Sequence, residues 1–316
     1  MIRRTNFLVW GIYELFDNGL IYRLSVEKGF GDKQWALALG LGFAFCVLFA
    51  YLAGSINFAL VVSRLFYHDD VRRHGSGNAG TTNILRNYGK KAGILTFAGD
   101  GLKGVIGILV ACLIFGCPAD DTKHFYLIAA AYFSAFFCIF GHIFPIFAKF
   151  RGGKGFATMA LSVLVLNPFI FLILFAIFAV LVLGSKYVSL GSVVTALLYP
   201  LLLSTFDSMQ ISETVSSTRY GISALVALLI AALITWAHRG NIKRIMDRTE
   251  RKLGEHREPE PEPAPAEGEA EEPLYEYDDE GEDETYTPAA HRTVSIKKKK
   301  HPVSKKKLKR QKKEKR

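Results

Sequence analysis

The polar segment at residues 74–93, HGSGNAGTTNILRNYGKKAG, combines residue types that bind phosphate groups. Its glycines let the backbone approach a ligand closely, and its hydroxyl and amide side chains supply neutral hydrogen-bond donors. Arg86 adds a guanidinium that can bind two phosphate oxygens at once. A merely flexible turn is the alternative, but it would not require so long a run of this chemistry. The segment therefore predicts an anion-binding loop, with candidate residues Ser76, Gly77, Asn78, Thr81, Asn83 and Arg86.

A second glycine-rich segment, FRGGKGFAT at 150–158, predicts another anion site. Gly152, Gly153 and Gly155 flank Lys154 where the next helix should begin, and free amides at a helix N-terminus attract anions. The residue after Lys154 is glycine rather than serine or threonine, so the segment is not a nucleotide-binding P-loop. The alternative is a tight loop whose lysine only follows the positive-inside rule.

Two further polar segments could contribute to the same site. GSKYVSLGS at 184–192 offers Ser189 and Ser192, although serines near helix starts are more often caps. In HRGNIKRIMDRTERKLG at 238–254, His238 and Asn241 are three residues apart and would share one helix face. An interfacial anchor is the alternative role for His238.

Metal and redox chemistry find no support in the sequence. No cluster of His, Cys and carboxylate residues has metal-ligand spacing, and the four cysteines are scattered without a C-x-x-C pair. We therefore expect neither a metal nor a cofactor. The cysteines are interpreted as buried thiols.

Long apolar runs between the polar segments predict membrane-spanning helices. Half of the 316 residues are hydrophobic, and a span needs about 20 mostly apolar residues. The fourth and fifth runs meet at Asn167-Pro168, a helix stop followed by a favoured helix start. Because both are short, they could form one kinked span. The sequence predicts an all-α integral membrane protein of about seven transmembrane helices, or six, from the runs 35–66, 92–116, 124–148, 156–166, 168–184, 190–206 and 220–238.

The loops indicate an orientation. The opposite loops, 117–122 and 207–218, contain no Lys or Arg, so the positive-inside rule puts the polar segments and the C-terminus in the cytoplasm. Residues 1–34 are interpreted as an N-terminal extension, with a mixed aromatic and charged pattern that suggests an interfacial helix. The basic loop residues are Arg64, Arg72, Arg73, Arg86, Lys90, Lys91, Lys149, Arg151, Lys154, Lys186, Arg239, Lys243 and Arg244.

Within the second run, Asp100 and Lys103 require a reason, because charges at membrane depth are costly. Their spacing of three residues predicts an ion pair of structural rather than catalytic role.

The C-terminal segment differs from the membrane domain, 35–254. Residues 255–290 are rich in Pro and acidic residues, whereas 292–316 contain 14 Lys or Arg and one acid. Such a composition predicts a disordered tail over 255–316, acidic and then basic. The tail either contacts anionic lipid or RNA, or only solubilises the chain.

Four motifs together resemble a known family. GSGNAGTTNILR (75–86), GHIFPIFAKFRGGKGFAT (141–158), KYVSLGS (186–192) and HRGNIKRI (238–245) are similar, in order and spacing, to the bacterial acyl-phosphate:glycerol-3-phosphate acyltransferase family, PlsY. The resemblance covers roughly residues 38–254. It implies seven spans in the bacterial cytoplasmic (inner) membrane. It also implies transfer of a fatty acyl group from acyl phosphate to glycerol 3-phosphate, giving lysophosphatidic acid and phosphate for phospholipid synthesis.

The resemblance also implies residue roles and a partner. Catalytic roles pass to Ser76, Arg86, Lys154, His238 and Asn241, and a structural role passes to Glu250. The substrate-binding set is Gly77, Asn78, Thr81, Asn83, Gly152, Gly153, Gly155 and Ser192, with Ser189 as the alternative serine. A soluble enzyme that forms acyl phosphate is implied as a partner. The phosphate of glycerol 3-phosphate is implied to take the proton from the attacking hydroxyl. Asn57 departs from the family, which usually has proline there.

Three other classes of protein fit the sequence less well. A transporter of phosphorylated solutes would be expected to show an internal repeat, and none is evident. A thioester-dependent acyltransferase would carry His-x-x-x-x-Asp, which is absent from the chain. A membrane anchor for the basic tail would leave the polar loops unexplained.

Overall fold

The computed structural model describes residues 19–116, 121–210 and 217–255, and every regular element in these ranges is a helix. The start of the N-terminal extension, both predicted Lys- and Arg-free loops in part, and the predicted tail from residue 256 lie outside the described residues. The helices are α1 (Leu20–Lys28), α2 (Asp32–Ser55), α3 (Phe58–Tyr67), α4 (Thr81–Tyr88), α5 (Lys90–Phe115), α6 (Asp121–Ile143), α7 (Phe156–Leu166), α8 (Pro168–Ser185), α9 (Val188–Gln210), α10 (Ser217–Ala237) and α11 (Arg239–Met246).

Five helices or helix pairs are long and apolar enough to cross a membrane: Asp32–Tyr67, Lys90–Phe115, Phe125–Ala148, Pro168–Ser185 and Val188–Phe206. A sixth span results if Gly221–Ala237 and Arg239–Met246, which meet at a bend of 57°, are counted as one. The described residues thus support a multi-pass helical protein with five or six spans. The fourth predicted span, 156–166, corresponds to the short helix α7. At 1.5 Å per residue its 11 residues reach about 17 Å, well short of the hydrocarbon thickness of about 30 Å.

The first span is broken in its second half. Asn57 caps α3, because its Oδ1 accepts a hydrogen bond from the Leu60 amide at 3.0 Å. The break leaves carbonyl groups at the end of α2 without helical partners. Lys103 Nζ on α5 satisfies those of Gly54 and Ile56, at 2.8 Å each. The span begins at Asp32, so the predicted boundary at residue 35 falls just inside α2.

The predicted break at Asn167-Pro168 is confirmed. Helix α7 ends at Leu166, and Pro168 occupies the first position of α8. The Asn167 amide donates to the hydroxyls of Tyr132 at 2.9 Å and Tyr199 at 3.1 Å. These bonds satisfy a polar group inside an otherwise apolar bundle.

The core and the outer surface are both apolar, as expected for a bundle in lipid. Helix α6 packs against α2, α5, α7 and α10. On α2, by contrast, Leu37, Leu41, Phe45 and Leu48 repeat at helical spacing and are exposed. Such a row would be unfavourable in water, so it marks a face in contact with lipid.

Candidate functional site

The polar loops surround one cavity of about 730 Å³. It lies between the loop before α4, the loop before α7, the start of α9 and the segment that follows α10. All four sequence motifs therefore contribute to one place. The cavity is lined by the predicted residues Ser76, Asn78, Thr81, Asn83, Arg86, Lys154, Gly155, Ser189, Ser192, His238, Asn241 and Glu250.

Asn83 organises the first loop. Its Oδ1 accepts a hydrogen bond from the Ser76 amide at 3.1 Å. Its Nδ2 donates to the backbone oxygens of Val71, His74 and Asn78 at 3.0 to 3.1 Å. Because one buried amide fixes four points of the backbone, the loop has a defined shape before any ligand binds.

Arg86 reaches from α4 to the segment after α11. Its Nη2 donates to the carbonyl oxygens of Arg251 at 3.2 Å and Lys252 at 3.3 Å. Its Nε is buried and makes no hydrogen bond with the described residues. Burial lowers the pKa of Arg86, and the charge of Arg251 acts in the same direction. The guanidinium thus keeps a donor free beside the cavity.

The second loop packs tightly onto the end of α6. The Gly153 amide donates to the His142 carbonyl at 3.1 Å. A Cβ on Gly152 would lie 2.0 Å from that carbonyl, and one on Gly153 would lie 2.1 Å from His142 Nε2. Gly155 has a φ of +80° at the start of α7. The glycines are thus required by contact and by backbone conformation.

Lys154 is partly buried at the centre of the polar loops. Its Nζ donates to Asn241 Oδ1. Burial is the largest cause that lowers the pKa of Lys154 to about 8; Glu250 opposes the shift, and the charges of Arg244 and Arg86 add to it. An added anion would restore the usual pKa, so the site as it stands favours a negatively charged ligand.

Glu250 connects the third and fourth motifs. Its Oε1 accepts hydrogen bonds from Ser189 Oγ at 2.7 Å and from Asn241 Nδ2 at 2.6 Å. Its Oε2 accepts from Arg244 Nε at 2.8 Å. Burial alone would raise the pKa of Glu250, but the three donors hold it below the usual value.

The two candidate serines differ in their contacts. Ser192 Oγ donates to the Val188 carbonyl one turn earlier in α9, at 3.0 Å, whereas Ser189 bonds to Glu250. Both line the cavity. The network of site side chains therefore includes Ser189, which the sequence ranked second.

His238 occupies the bend between α10 and α11. Its Nδ1 lies 2.8 Å from the Ile234 carbonyl oxygen, which can only accept, so Nδ1 carries a proton. In the neutral ring Nε2 then has a free lone pair. His238 lines the cavity, so this nitrogen is suited to accept a hydrogen bond from a hydroxyl group.

Three predicted substrate-binding glycines, Gly77, Gly152 and Gly153, do not line the cavity and instead shape its walls. Asp100 and His142 are among the residues that line it without a predicted role in the site. Their signal was present in the sequence, because both are polar groups within apolar runs.

An apolar section continues the cavity beyond the polar loops. Its aromatic side chains come from α5, α7 and α8, and the rings of Phe156 and Phe178 stack with their centroids 5.1 Å apart. A hydrocarbon chain would be well accommodated there. The aromatic lining residues are Phe97, Phe156, Phe171, Phe175 and Phe178.

Within the described ranges, no group of three or more His, Cys, Asp or Glu residues is arranged to hold a metal ion. The donor set of the cavity, rich in cations and hydroxyls, suits an anion.

Known proteins resemble this chain over the region that contains the four motifs. The sequence model of the glycerol-3-phosphate acyltransferase family matches residues 44–248. The glycerol-3-phosphate acyltransferase of Clostridioides difficile (strain 630) is 39% identical over 209 residues, which are 66% of this chain and 94% of that protein. The glycerol-3-phosphate acyltransferase of Geobacillus kaustophilus (strain HTA426) is 40% identical over 210 residues, which are 66% of this chain and 95% of that protein.

Solved structures show the same relationship. A crystal structure of PlsY (YgiH), an integral membrane glycerol 3-phosphate acyltransferase, in its glycerol 3-phosphate form has a TM-score of 0.56 at 34% identity, covering 67% of this chain and 96% of that chain. The lysophosphatidic acid form has a TM-score of 0.55 at 33% identity, covering 67% of this chain and 95% of that chain. The resemblance drawn from the four motifs is confirmed. The chain belongs to the glycerol-3-phosphate acyltransferase family and is a membrane acyltransferase of phospholipid synthesis.

Proposed function

We propose that the chain transfers a fatty acyl group from acyl phosphate to glycerol 3-phosphate, yielding lysophosphatidic acid and phosphate. The observation that carries the proposal is a single cavity with a cationic section at the loops and an apolar section among the helices. One section suits two phosphate groups and the other an acyl chain. The glycerol 3-phosphate and lysophosphatidic acid forms of the PlsY structures support the acceptor and the product.

Phosphate charge is neutralised by Arg86 and Lys154. Glu250, an acidic residue of the polar section, is already held by Arg244, Asn241 and Ser189. The site therefore keeps a net positive charge for substrate. Ser76 and the loop fixed by Asn83 add neutral donors around the same anions.

An acyl phosphate is a mixed anhydride with a good leaving group, so the protein mainly positions the reactants and stabilises charge. The 1-hydroxyl oxygen of glycerol 3-phosphate attacks the acyl carbon. A new ester bond forms, and the bond from the acyl carbon to the phosphate oxygen breaks, with its electron pair leaving on the phosphate. The hydroxyl proton passes to a phosphate oxygen of glycerol 3-phosphate.

His238 orients the attacking hydroxyl through the lone pair of Nε2. The partner of its Nδ1 is the Ile234 carbonyl and not a carboxylate. No negative charge would thus stabilise an imidazolium directly, in contrast to a Ser-His-Asp triad. This contact supports the substrate's phosphate, rather than His238, as the final proton acceptor.

The site faces the cytoplasm of a bacterial cell in this proposal, because the basic loops surround it. A soluble enzyme that forms acyl phosphate would then reach it from that side. On the same cytoplasmic side, the basic end of the tail would contact anionic lipid or RNA. The tail from residue 256 lies outside the described residues.

The test is formation of lysophosphatidic acid from labelled glycerol 3-phosphate by the purified, detergent-solubilised chain. Acyl phosphate, acyl-CoA and acyl carrier protein are compared as donors, with and without chelator. We expect product from acyl phosphate alone, unaffected by chelator and lost in Lys154→Ala. Lys91→Ala, at an exposed lysine of α5, is the matched control. Product from a thioester donor instead, or from none, would overturn the proposal.

A further inference from the structure

A buried polar trio, Asp100, Lys103 and His142, lies directly behind the glycine-rich loop. Lys103 Nζ is 3.0 Å from Asp100 Oδ1 and 2.8 Å from His142 Nδ1. All three residues are no more than 4% exposed. The ion pair of Asp100 and Lys103 confirms the sequence prediction, whereas His142 comes from another helix.

The protons of Lys103 fix the tautomer of His142. An ammonium group has three N–H bonds. Two of them point to the carbonyl oxygens of Gly54 and Ile56, and the third lies between Asp100 Oδ1 and His142 Nδ1. An ammonium nitrogen has no lone pair, and His142 Nδ1 lies closer to Lys103 Nζ, at 2.8 Å, than to Asp100 Oδ1, at 3.3 Å, so Nδ1 accepts from Lys103. The proton of the neutral ring is therefore on Nε2.

The charge balance of the trio supports the same assignment. The Asp100 carboxylate and the Lys103 ammonium cancel, so a neutral His142 leaves the buried site without net charge. An imidazolium would add an uncompensated charge in low dielectric, which is costly. Further bonds hold the carboxylate, because Asp100 Oδ1 also accepts from the Phe58 amide at 3.1 Å.

The protonated nitrogen of His142 faces the glycine-rich loop. A Cβ on Gly153 would lie 2.1 Å from Nε2, so only a glycine lets the loop backbone pass this close to the nitrogen. His142 is also part of the cavity wall, with Lys154. Within the described residues Nε2 makes no hydrogen bond, whereas Nδ1 accepts from Lys103.

We infer that His142 is a further catalytic residue, which donates a hydrogen bond from Nε2 to an oxygen of the acyl-phosphate phosphate group. This inference rests on the proposed function. As the bond to the acyl carbon breaks, the phosphate oxygens gain negative charge, and a fixed donor becomes more favourable at that moment. Asp100 and Lys103 are positioning residues that hold the ring in its tautomer and orientation.

Two substitutions separate the two nitrogens of His142. The amide of His142→Gln can present its nitrogen near the former Nε2, which keeps the donor toward the loop. The shorter His142→Asn can present its oxygen near the former Nδ1, which keeps the contact with Lys103 but removes the donor. If His142 has only a structural role, His142→Asn should keep the activity. If the donor takes part in the reaction, His142→Gln should keep it instead.

The experiment measures kcat and KM for both substrates, with thermal unfolding, on the full chain in detergent. We expect kcat of His142→Asn to fall about 100-fold with KM little changed, and that of His142→Gln to fall less than about tenfold, as for loss and retention of one preorganised donor. His68→Asn is the matched control, because His68 is exposed and has a φ of +52° that asparagine tolerates.

Each outcome decides between the proposals. A wild-type chain inactive with acyl phosphate overturns the proposed function and this inference with it. An active wild type with an equally active His142→Asn overturns the inference alone. If His142→Asn does not fold, His142→Gln decides: a folded variant that has lost about 100-fold in kcat overturns the donor role.

Discussion

Asn241 donates a hydrogen bond from Nδ2 to Oε1 of Glu250 at 2.6 Å. The orientation of the Asn241 amide follows from this contact, because the opposite atom, Oδ1, then points to Lys154 and accepts from its ammonium group. The carboxylate of Glu250 thereby positions the lysine through Asn241 and not by a hydrogen bond of its own. The lysine charge is thus left for a phosphate.

Glu250→Gln tests this chain of contacts. A glutamine has one acceptor oxygen and an amide that can only donate, so it cannot serve Ser189, Asn241 and Arg244 together. We expect a loss of about 1–3 kcal/mol in stability, the usual result of unpaired buried polar groups, and a raised KM for glycerol 3-phosphate. Thermal unfolding and steady-state kinetics are the measurements. Glu27→Gln, at an exposed residue of α1, is the control, and equal behaviour of both variants would contradict the role of Glu250.

The pH dependence of kcat/KM should report Lys154. Its pKa of about 8 in the free protein means that the ammonium form, which binds phosphate, prevails below pH 8 and is lost above it. Since kcat/KM reflects the free enzyme, we expect it to fall as the pH rises through about 8, while kcat at saturation falls only at higher pH.

Lys154→Arg provides the control for this assignment, because guanidinium stays protonated throughout the range. The variant should be slower at pH 7 but should lose the decline above pH 8. A decline that persists unchanged in Lys154→Arg would assign it to another group.

Features set by neighbouring residues could be predicted from the sequence. The break at Asn167-Pro168 follows from backbone chemistry at two adjacent positions. The pair of Asp100 and Lys103 follows from helical spacing within one apolar run. The sequence also indicated that the four motifs lie close together. The loops that contain them are all basic, which places them on the same side of the membrane.

Contacts between distant segments could not be predicted in this way. Glu250 and Ser189 are 61 residues apart, and their bond depends on how the segment after α11 crosses the start of α9. Ser189 and Ser192 differ by less than one helical turn, so only the packing of α9 decides which reaches Glu250. His142 is 39 residues from Lys103, and its part in the trio required the packing of α6 on α5.

Replacing His238 should distinguish the two possible proton acceptors. If the phosphate of glycerol 3-phosphate takes the proton, His238→Ala removes only an orienting hydrogen bond, and kcat should fall by about 100-fold or less. His238→Gln, whose oxygen can accept in place of Nε2, should recover part of the loss. A fall of about 10⁴-fold in His238→Ala with KM unchanged would instead indicate that His238 is the base.

Gly153→Ala should disable the site without a change in its charged residues. The added Cβ would lie 2.1 Å from His142 Nε2 in α6 and 2.6 Å from the Ala79 carbonyl oxygen in the first loop. Neither atom can move away from the added Cβ easily, because the Ala79 oxygen accepts a hydrogen bond from Asn57 and His142 is held by Lys103. The second loop must therefore shift, moving Lys154 relative to Arg86.

We expect kcat/KM of Gly153→Ala to fall about 100-fold or more, as for a reactive group displaced by about 1 Å. Gly184→Ala is the matched control, since a Cβ on Gly184 has no neighbour within 4 Å and alanine favours the helix that contains it. Activity assays and thermal unfolding on both variants make the comparison. A Gly153→Ala variant as active as Gly184→Ala would show that the loop tolerates the shift, and the close contact of Gly153 with His142 would then have no part in the reaction.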